Sequence, residues 1–149
     1  MNRRAASVLT EVAPLHIGQL ALRTGRSTHT IRWYETQRLI PGVRRDASGR
    51  RVYTEAHVGW LELLDRLRLT GMSIRQMREY AVLVRKGEST LEARRLMLQE
   101  HRQRVDQMLR ELSDSVALID AKIGFYGRWI STGKQPAPVP LPPPRRKPG

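Results

Sequence analysis

The chain has 149 residues, a formal charge of +13 from 27 Lys and Arg against 14 Asp and Glu, and no cysteine. That length suits one domain, or one domain plus an oligomerisation element, and is too short for a large separate ligand-binding module. The charge points to a polyanionic partner, and the missing thiols exclude disulfides, thiolate metal sites and thiol redox sensing within the chain.

Residues 1–14 show no periodicity and are expected to form a flexible extension whose Arg3 and Arg4 add diffuse charge. From Leu15 the pattern changes. Ile17, Leu20 and Ala21 make the inward stripe of a short helix that Gly25 ends as a left-handed cap. Ser27 is placed to cap a second helix running to about Gln37, with Ile31 facing the first, and the pair has helix-turn-helix spacing. Pro41 and Gly42 stop it.

Residues 43–53 read as a β-hairpin or wing, in which Asp46-Ala47-Ser48-Gly49 makes the turn between basic segments and Gly49 supplies a positive φ. Thr54 caps a third helix whose Val58, Leu61, Leu64 and Leu69 are spaced for burial, with Trp60 contributing and Gly71 at its end. Ser73 and Gln76 form a capping box for a fourth helix through about Val84. Residues 15–86 thus make a mainly α, winged helix-turn-helix head with a small β-wing.

A long helix follows over 87–130, opening at Ser89 with Glu92 as a second capping box. Leu91, Leu98, Val105, Leu112, Ile119 and Tyr126 recur every seven residues, and Leu109, Val116, Ile123 and Ile130 form a second row four residues beyond the last four. At roughly 1.5 Å per residue such a helix extends about 60 Å, too long to hide its stripe against a small head. A coiled coil with a second copy is the economical cover, with Leu98, Val105, Leu109, Leu112, Val116, Ile119 and Ile123 as the dimerisation seam. Residues 131–149 read as an extended, disordered, Pro-rich tail in which Arg145-Arg146-Lys147 can touch phosphates or merely be solvated.

Charge follows this division. Residues 1–86 carry 16 Lys/Arg against 7 Asp/Glu, residues 87–130 carry 7 against 7, and the tail carries four against none. Apolar runs are only a few residues long, so neither a membrane span nor a secretory signal is expected and the cytoplasm is the default compartment. No metal, cofactor or catalytic signature is present; Glu62 and Asp65 read as adjacent turns of a solvated face. The chain is therefore not expected to be an enzyme.

The order Ile17-Gly18-Gln19-Leu20-Ala21, Thr30-Ile31-Arg32-Trp33-Tyr34-Glu35, Leu39-Ile40, Gly49-Arg50-Arg51-Val52-Tyr53-Thr54 and Gly71-Met72-Ser73-Ile74 resembles the MerR family of bacterial transcription regulators over about residues 15–130. The segment Gly87-Glu88-Ser89-Thr90-Leu91-Glu92-Ala93-Arg94 is similar to that family's aldehyde- and electrophile-stress branch. The resemblance implies a homodimer joined by an antiparallel coiled coil, bound to a pseudo-palindromic double-stranded promoter. It also implies action on RNA polymerase by distorting the spacer between the polymerase recognition elements, at a cost on the order of 1–6 kcal/mol for a 20–30 bp site.

Carried over residue by residue, Ser27, Thr28, His29, Thr30 and Arg32 belong to the recognition helix, and Arg32 is the first choice for a base-edge or phosphate contact. Tyr34 is expected to bond a phosphate through its hydroxyl. Trp33 stands where the family more often has tyrosine, and either donates to a phosphate or packs. Arg50, Arg51 and Tyr53 resemble the wing residues that hold the DNA backbone, and Arg44 and Arg45 extend that basic face. His16 either caps the first helix or touches phosphate.

The absence of cysteine departs from metal-responsive and many electrophile-responsive members. A small organic effector would therefore act non-covalently, or through another nucleophile, where heads meet coil. Tyr80, Met97, Tyr126 and Trp129 are available to line such a site or to serve as core. The alternative reading is a coiled-coil adaptor, or a non-specific nucleic-acid binder without an effector.

Overall fold

A computed structural model of the protein describes residues 13–141. The N-terminal extension up to residue 12, with Arg3 and Arg4, and the cluster Arg145-Arg146-Lys147 lie outside the described residues. Two compact units divide the chain, one through His101 and one from Arg102 onward.

In the first unit, α1 (Ile17–Thr24) and α2 (Thr28–Thr36) precede the hairpin strands β1 (Arg44–Arg45) and β2 (Arg51–Val52), which pair antiparallel. The helices α3 (Glu55–Leu69) and α4 (Ile74–Arg85) follow, then a 3-10 turn over Glu88–Thr90 and the start of α5 (Leu91–Thr132). The punctuation residues act as their chemistry dictates. Gly25 adopts φ +65° at the end of α1, where the Arg26 amide donates to the Ala21 carbonyl at 3.1 Å. Ser27 accepts from the Thr30 amide at 3.1 Å, and Ser73 and Gln76 exchange bonds of 3.2 and 3.1 Å as a capping box.

α1 packs on α2 and α3, and α3 on α4, around the fully buried Leu20, Ile31, Leu39, Leu61, Leu64 and Met77. Each such side chain contributes about 1.5–3 kcal/mol by leaving water. Trp60 closes one side, stacked on Tyr80 at 5.5 Å while its indole nitrogen donates to the Leu39 carbonyl at 2.7 Å. A rung not foreseen in the sequence pairs Leu15 with Tyr53, with N···O distances of 2.9 and 2.8 Å, and fastens the entry of α1 to the wing.

Leu69 departs from expectation. It is exposed, and Leu67 is buried in its stead. Leu61, Leu64 and Leu67 follow each other at three-residue steps on one face, whereas Leu69, five residues past Leu64, is turned about 140° from it. The start of the long helix differs too. Ser89 lies in the 3-10 turn and Glu92 pairs with Arg95 at 2.9 Å instead of closing a box with Ser89. Thr90 instead ties this junction back to the end of α4, its hydroxyl donating toward the Leu83 and Gly87 carbonyls at 2.6 and 2.9 Å.

Leu98, expected in the dimer seam, is half-buried with Met97 against the head core, and His101 is buried with Nε2 2.7 Å from the Thr70 hydroxyl. The first turns of α5 thus complete the head, because α3 and α4 leave an apolar side that they cover. In the second unit α5 stays helical through Gly124 and Gly127 to Thr132. Leu109, Leu112, Val116, Ile119, Ile123 and Ile130 are all exposed along it, and Val105 is half-buried. Gly133, at φ +67°, donates its amide to the Trp129 carbonyl at 2.9 Å and ends the helix. Residues 135–141 have the irregular conformation expected of the Pro-rich tail, yet they lie beside α5, where Gln135 and Leu141 share a cavity with Leu118 and Phe125.

His57 escaped the sequence reading and organises the joint between wing and α3. Its Nδ1 accepts the Thr54 amide at 2.9 Å, which leaves Nε2–H to donate to the Pro41 carbonyl at 3.0 Å. The neutral ring is fully bonded, and burial holds its pKa below the usual histidine value. A base with a depressed native pKa gives its full stability above its unfolded pKa, about 6.5, and loses it as pH falls toward the folded value. Thermal melts should therefore fall below about pH 6.5, and the difference between wild type and His57→Gln should narrow there; a constant difference from pH 8 to 5 would remove His57 from that role.

Candidate nucleic-acid interface

Three elements converge beside the recognition helix. His16 at the start of α1, Arg32 on α2 and Arg45, Arg50 and Arg51 on the hairpin border one depression of about 520 Å³. Arg32, Arg45 and Arg50 are exposed, so their charge is available to a polyanion. Among the expected helix residues His29 is also exposed, and Thr28 and Thr30 are half-buried. Ser27 is occupied as the helix cap and shares a 2.9 Å contact with the Thr30 hydroxyl.

The wing owes its shape to Asp46. Its Oδ1 accepts from the Ser48 hydroxyl, the Arg50 amide and the Ser48 amide at 2.7, 2.9 and 3.0 Å, and the Ser48 bond leads in holding its carboxyl below the usual carboxylate range. Gly49 takes φ +81°, and Arg45 donates to its carbonyl at 2.6 Å. Strand register then selects the cations. Arg45 stands opposite Arg51 and Arg44 opposite Val52, so two-residue alternation turns Arg45, and not Arg44, toward Arg32. Hairpin alternation was the signal in the sequence that would have separated them.

Two expected phosphate contacts are corrected. Tyr34 is 2% exposed and donates its hydroxyl to Asp65 at 3.3 Å; Tyr53 is fully buried and donates to Glu35, which also pairs with Arg51. Burial first, and the Glu35 bond second, push the Tyr53 phenol above its ordinary pKa. Both tyrosines face inward: Tyr34 reaches Asp65 on α3, and Tyr53 meets the His57 ring of α3 edge-on while its hydroxyl finds Glu35 on α2. Glu35 in turn fixes the Arg51 stem at the edge of the basic face.

His16 takes the capping role through its backbone, donating its amide to Gln19 Oε1 at 2.8 Å, while its ring lies 3.4 Å from the Arg51 carbonyl. Trp33 packs half-buried against the core, with the Arg68 guanidinium 5.7 Å from its ring centroid. Arg68, which the sequence reading passed over, borders a small hollow with His29 and Thr30. Asp65 is paired by Arg26, which also donates to the Leu61 carbonyl at 3.0 Å. Tyr80 is core rather than ligand lining, and Met97 packs with it.

A helix pair at helix-turn-helix spacing, flanked by a rigid cationic hairpin, defines a winged helix-turn-helix DNA-binding protein. Residues 15–81 match the family model described as MerR HTH family regulatory protein. An HTH-type transcriptional regulator of Haemophilus influenzae is 33% identical over 113 residues, covering 76% of this chain and 84% of that protein. The transcriptional regulator AdhR of Bacillus subtilis is 40% identical over 91 residues, covering 61% of this chain and 65% of AdhR. The crystal structure of HiNmlR, a MerR family regulator lacking the sensor domain, bound to promoter DNA, superposes with a TM-score of 0.70 at 30% identity, covering 81% of this chain and 96% of that one. The chain belongs to the MerR family of HTH-type transcriptional regulators, and is not an enzyme. Among the described residues no helix is long and apolar enough to cross a membrane.

Proposed function

We propose that the protein acts in the cytoplasm as a homodimer whose two heads bind a pseudo-palindromic promoter and distort its spacer, so that RNA polymerase engages both of its elements. The observation that carries this reading is the convergence of Arg32, Arg45, Arg50 and Arg51 around one depression beside α2. Such a surface suits a major groove flanked by phosphates, with the helix reading bases and the wing fixing register. HiNmlR, similar along most of its length, is a promoter-bound relative. The second half of the reading rests on α5, where Leu109, Leu112, Val116, Ile119 and Ile123 leave a long apolar row uncovered in the single chain. A small organic effector, acting without a thiol, completes the proposal.

Arg32→Ala is expected to weaken operator binding by roughly tenfold to a hundredfold, the worth of about 1–3 kcal/mol for a good base contact, with little change in melting temperature. Anisotropy titrations against the operator and a scrambled duplex at physiological salt test this. Equal losses on both duplexes would make Arg32 a phosphate ligand only, and no preference of the wild type for the operator would favour a non-specific basic adaptor.

A further inference from the structure

We propose that the cleft between α5 and the returning segment 135–141 is a binding site for a small monocarboxylate with an apolar body, and that this is where the effector acts. The proposal deepens the effector reading above and rests on it. α5 carries two apolar faces in its C-terminal part. One is the exposed seam row; the other is centred on Phe125, which is only 3% exposed. Pro138, Val139 and Leu141 border a cavity of about 490 Å³ with Leu118, Phe125 and Ile119. Small organic ligands occupy pockets of roughly 300–1,000 Å³ with apolar walls and a few placed polar groups.

Two polar groups border this cavity, Lys122 and Gln135. The Lys122 ammonium lies 4.4 Å from the Phe125 ring centroid and 5.0 Å from that of Tyr126, which positions the charge directly above the apolar wall. A carboxylate takes a charge-assisted hydrogen bond from one ammonium and a second bond from an amide, whereas a cation would be repelled. Proline fixes φ along the strap, so Pro136, Pro138 and Pro140 lower the entropy lost in holding this wall in place. Ile119 links the site to regulation. It borders the cavity and also belongs to the seam row, so an occupant touches a side chain that the second copy would cover.

The test titrates 2-naphthoate into the full-length protein by isothermal calorimetry, beside its neutral counterpart 2-naphthamide. Saturable binding of one naphthoate per chain is expected, with affinity at least about tenfold lower for the amide and for Lys122→Gln, since a bond to a charged group is worth roughly 1.5–3 kcal/mol. Val139→Trp, which fills the cavity and keeps the Lys122 charge, should abolish binding while circular dichroism stays unchanged. Naphthoate should shift promoter affinity in the wild type and not in Val139→Trp. No saturable binding to the wild type, or equal affinity across the two ligands and both variants, overturns the site. Binding without any shift of promoter affinity overturns its effector role. The same samples separate the two readings: operator preference without naphthoate binding defeats this site alone, and naphthoate binding without operator preference defeats the regulator reading and leaves the site standing.

Discussion

Replacing Leu112 and Ile119 together by Asp is expected to yield a monomer by light scattering at concentrations where the wild type is a dimer. Both side chains are more than half exposed on α5, at 62% and 58%, while the head through His101 has a complete core of its own. A dimer seam would bury four such side chains, two from each chain. Losing them removes about 1.5–3 kcal/mol apiece before the penalty of placing carboxylates against the remaining apolar row. At about 1.4 kcal/mol per decade, dissociation should rise by at least roughly four powers of ten. The heads should keep their melting transition, because no core residue through His101 is changed, and operator affinity should collapse to that of one half-site. A dimer that survives both substitutions would place the interface elsewhere.

The apolar row along α5 was legible because a heptad repeat is a property of spacing alone, and the same holds for the caps at Gly25, Ser27 and Ser73. Where a residue has two chemistries, spacing does not decide. Tyr34 and Tyr53 carry an apolar ring and a polar handle, and motif position suggested phosphate for both hydroxyls; the fold brings Asp65 and Glu35 to them from 31 and 18 residues away. No local pattern announces such partners. Leu69 was misplaced for a milder reason, since a leucine-rich helix offers several stripes and only α4 selects one. Leu98 satisfied the heptad and the head core equally well, and the head is nearer along the chain. The Pro-rich tail was legible as irregular but not as adherent, because its apolar residues answer to Phe125, which falls outside the heptad rows. His57 gave no signal at all: its three bonds join a cap, a turn and a ring that only the folded wing assembles.

Asp65→Ala should lower the stability of the head by about 2–3 kcal/mol, a drop in melting temperature on the order of 10 °C for a unit of this size. Asp65 is itself 47% exposed, so solvent screens its attraction for Arg26 and the pair as such is worth little. What sets the loss is the group left behind. The Arg26 side chain is 9% exposed and lies in the turn between α1 and α2, where its remaining bonds reach only the Thr24 and Leu61 carbonyls at 3.3 and 3.0 Å. Tyr34 loses its acceptor in the same step. Tyr34→Phe alone should then cost roughly 0.5–1.5 kcal/mol and leave operator affinity unchanged well below the melting point. A phosphate ligand would behave the opposite way, keeping the melting temperature and losing affinity. Because Tyr34 acts through Asp65, its substitution should cost almost nothing in the Asp65→Ala background, and the double-mutant cycle measures that coupling directly. Additive losses would mean that the Tyr34 hydroxyl has some other partner, and a loss of operator binding on Tyr34→Phe at full stability would return it to the DNA surface.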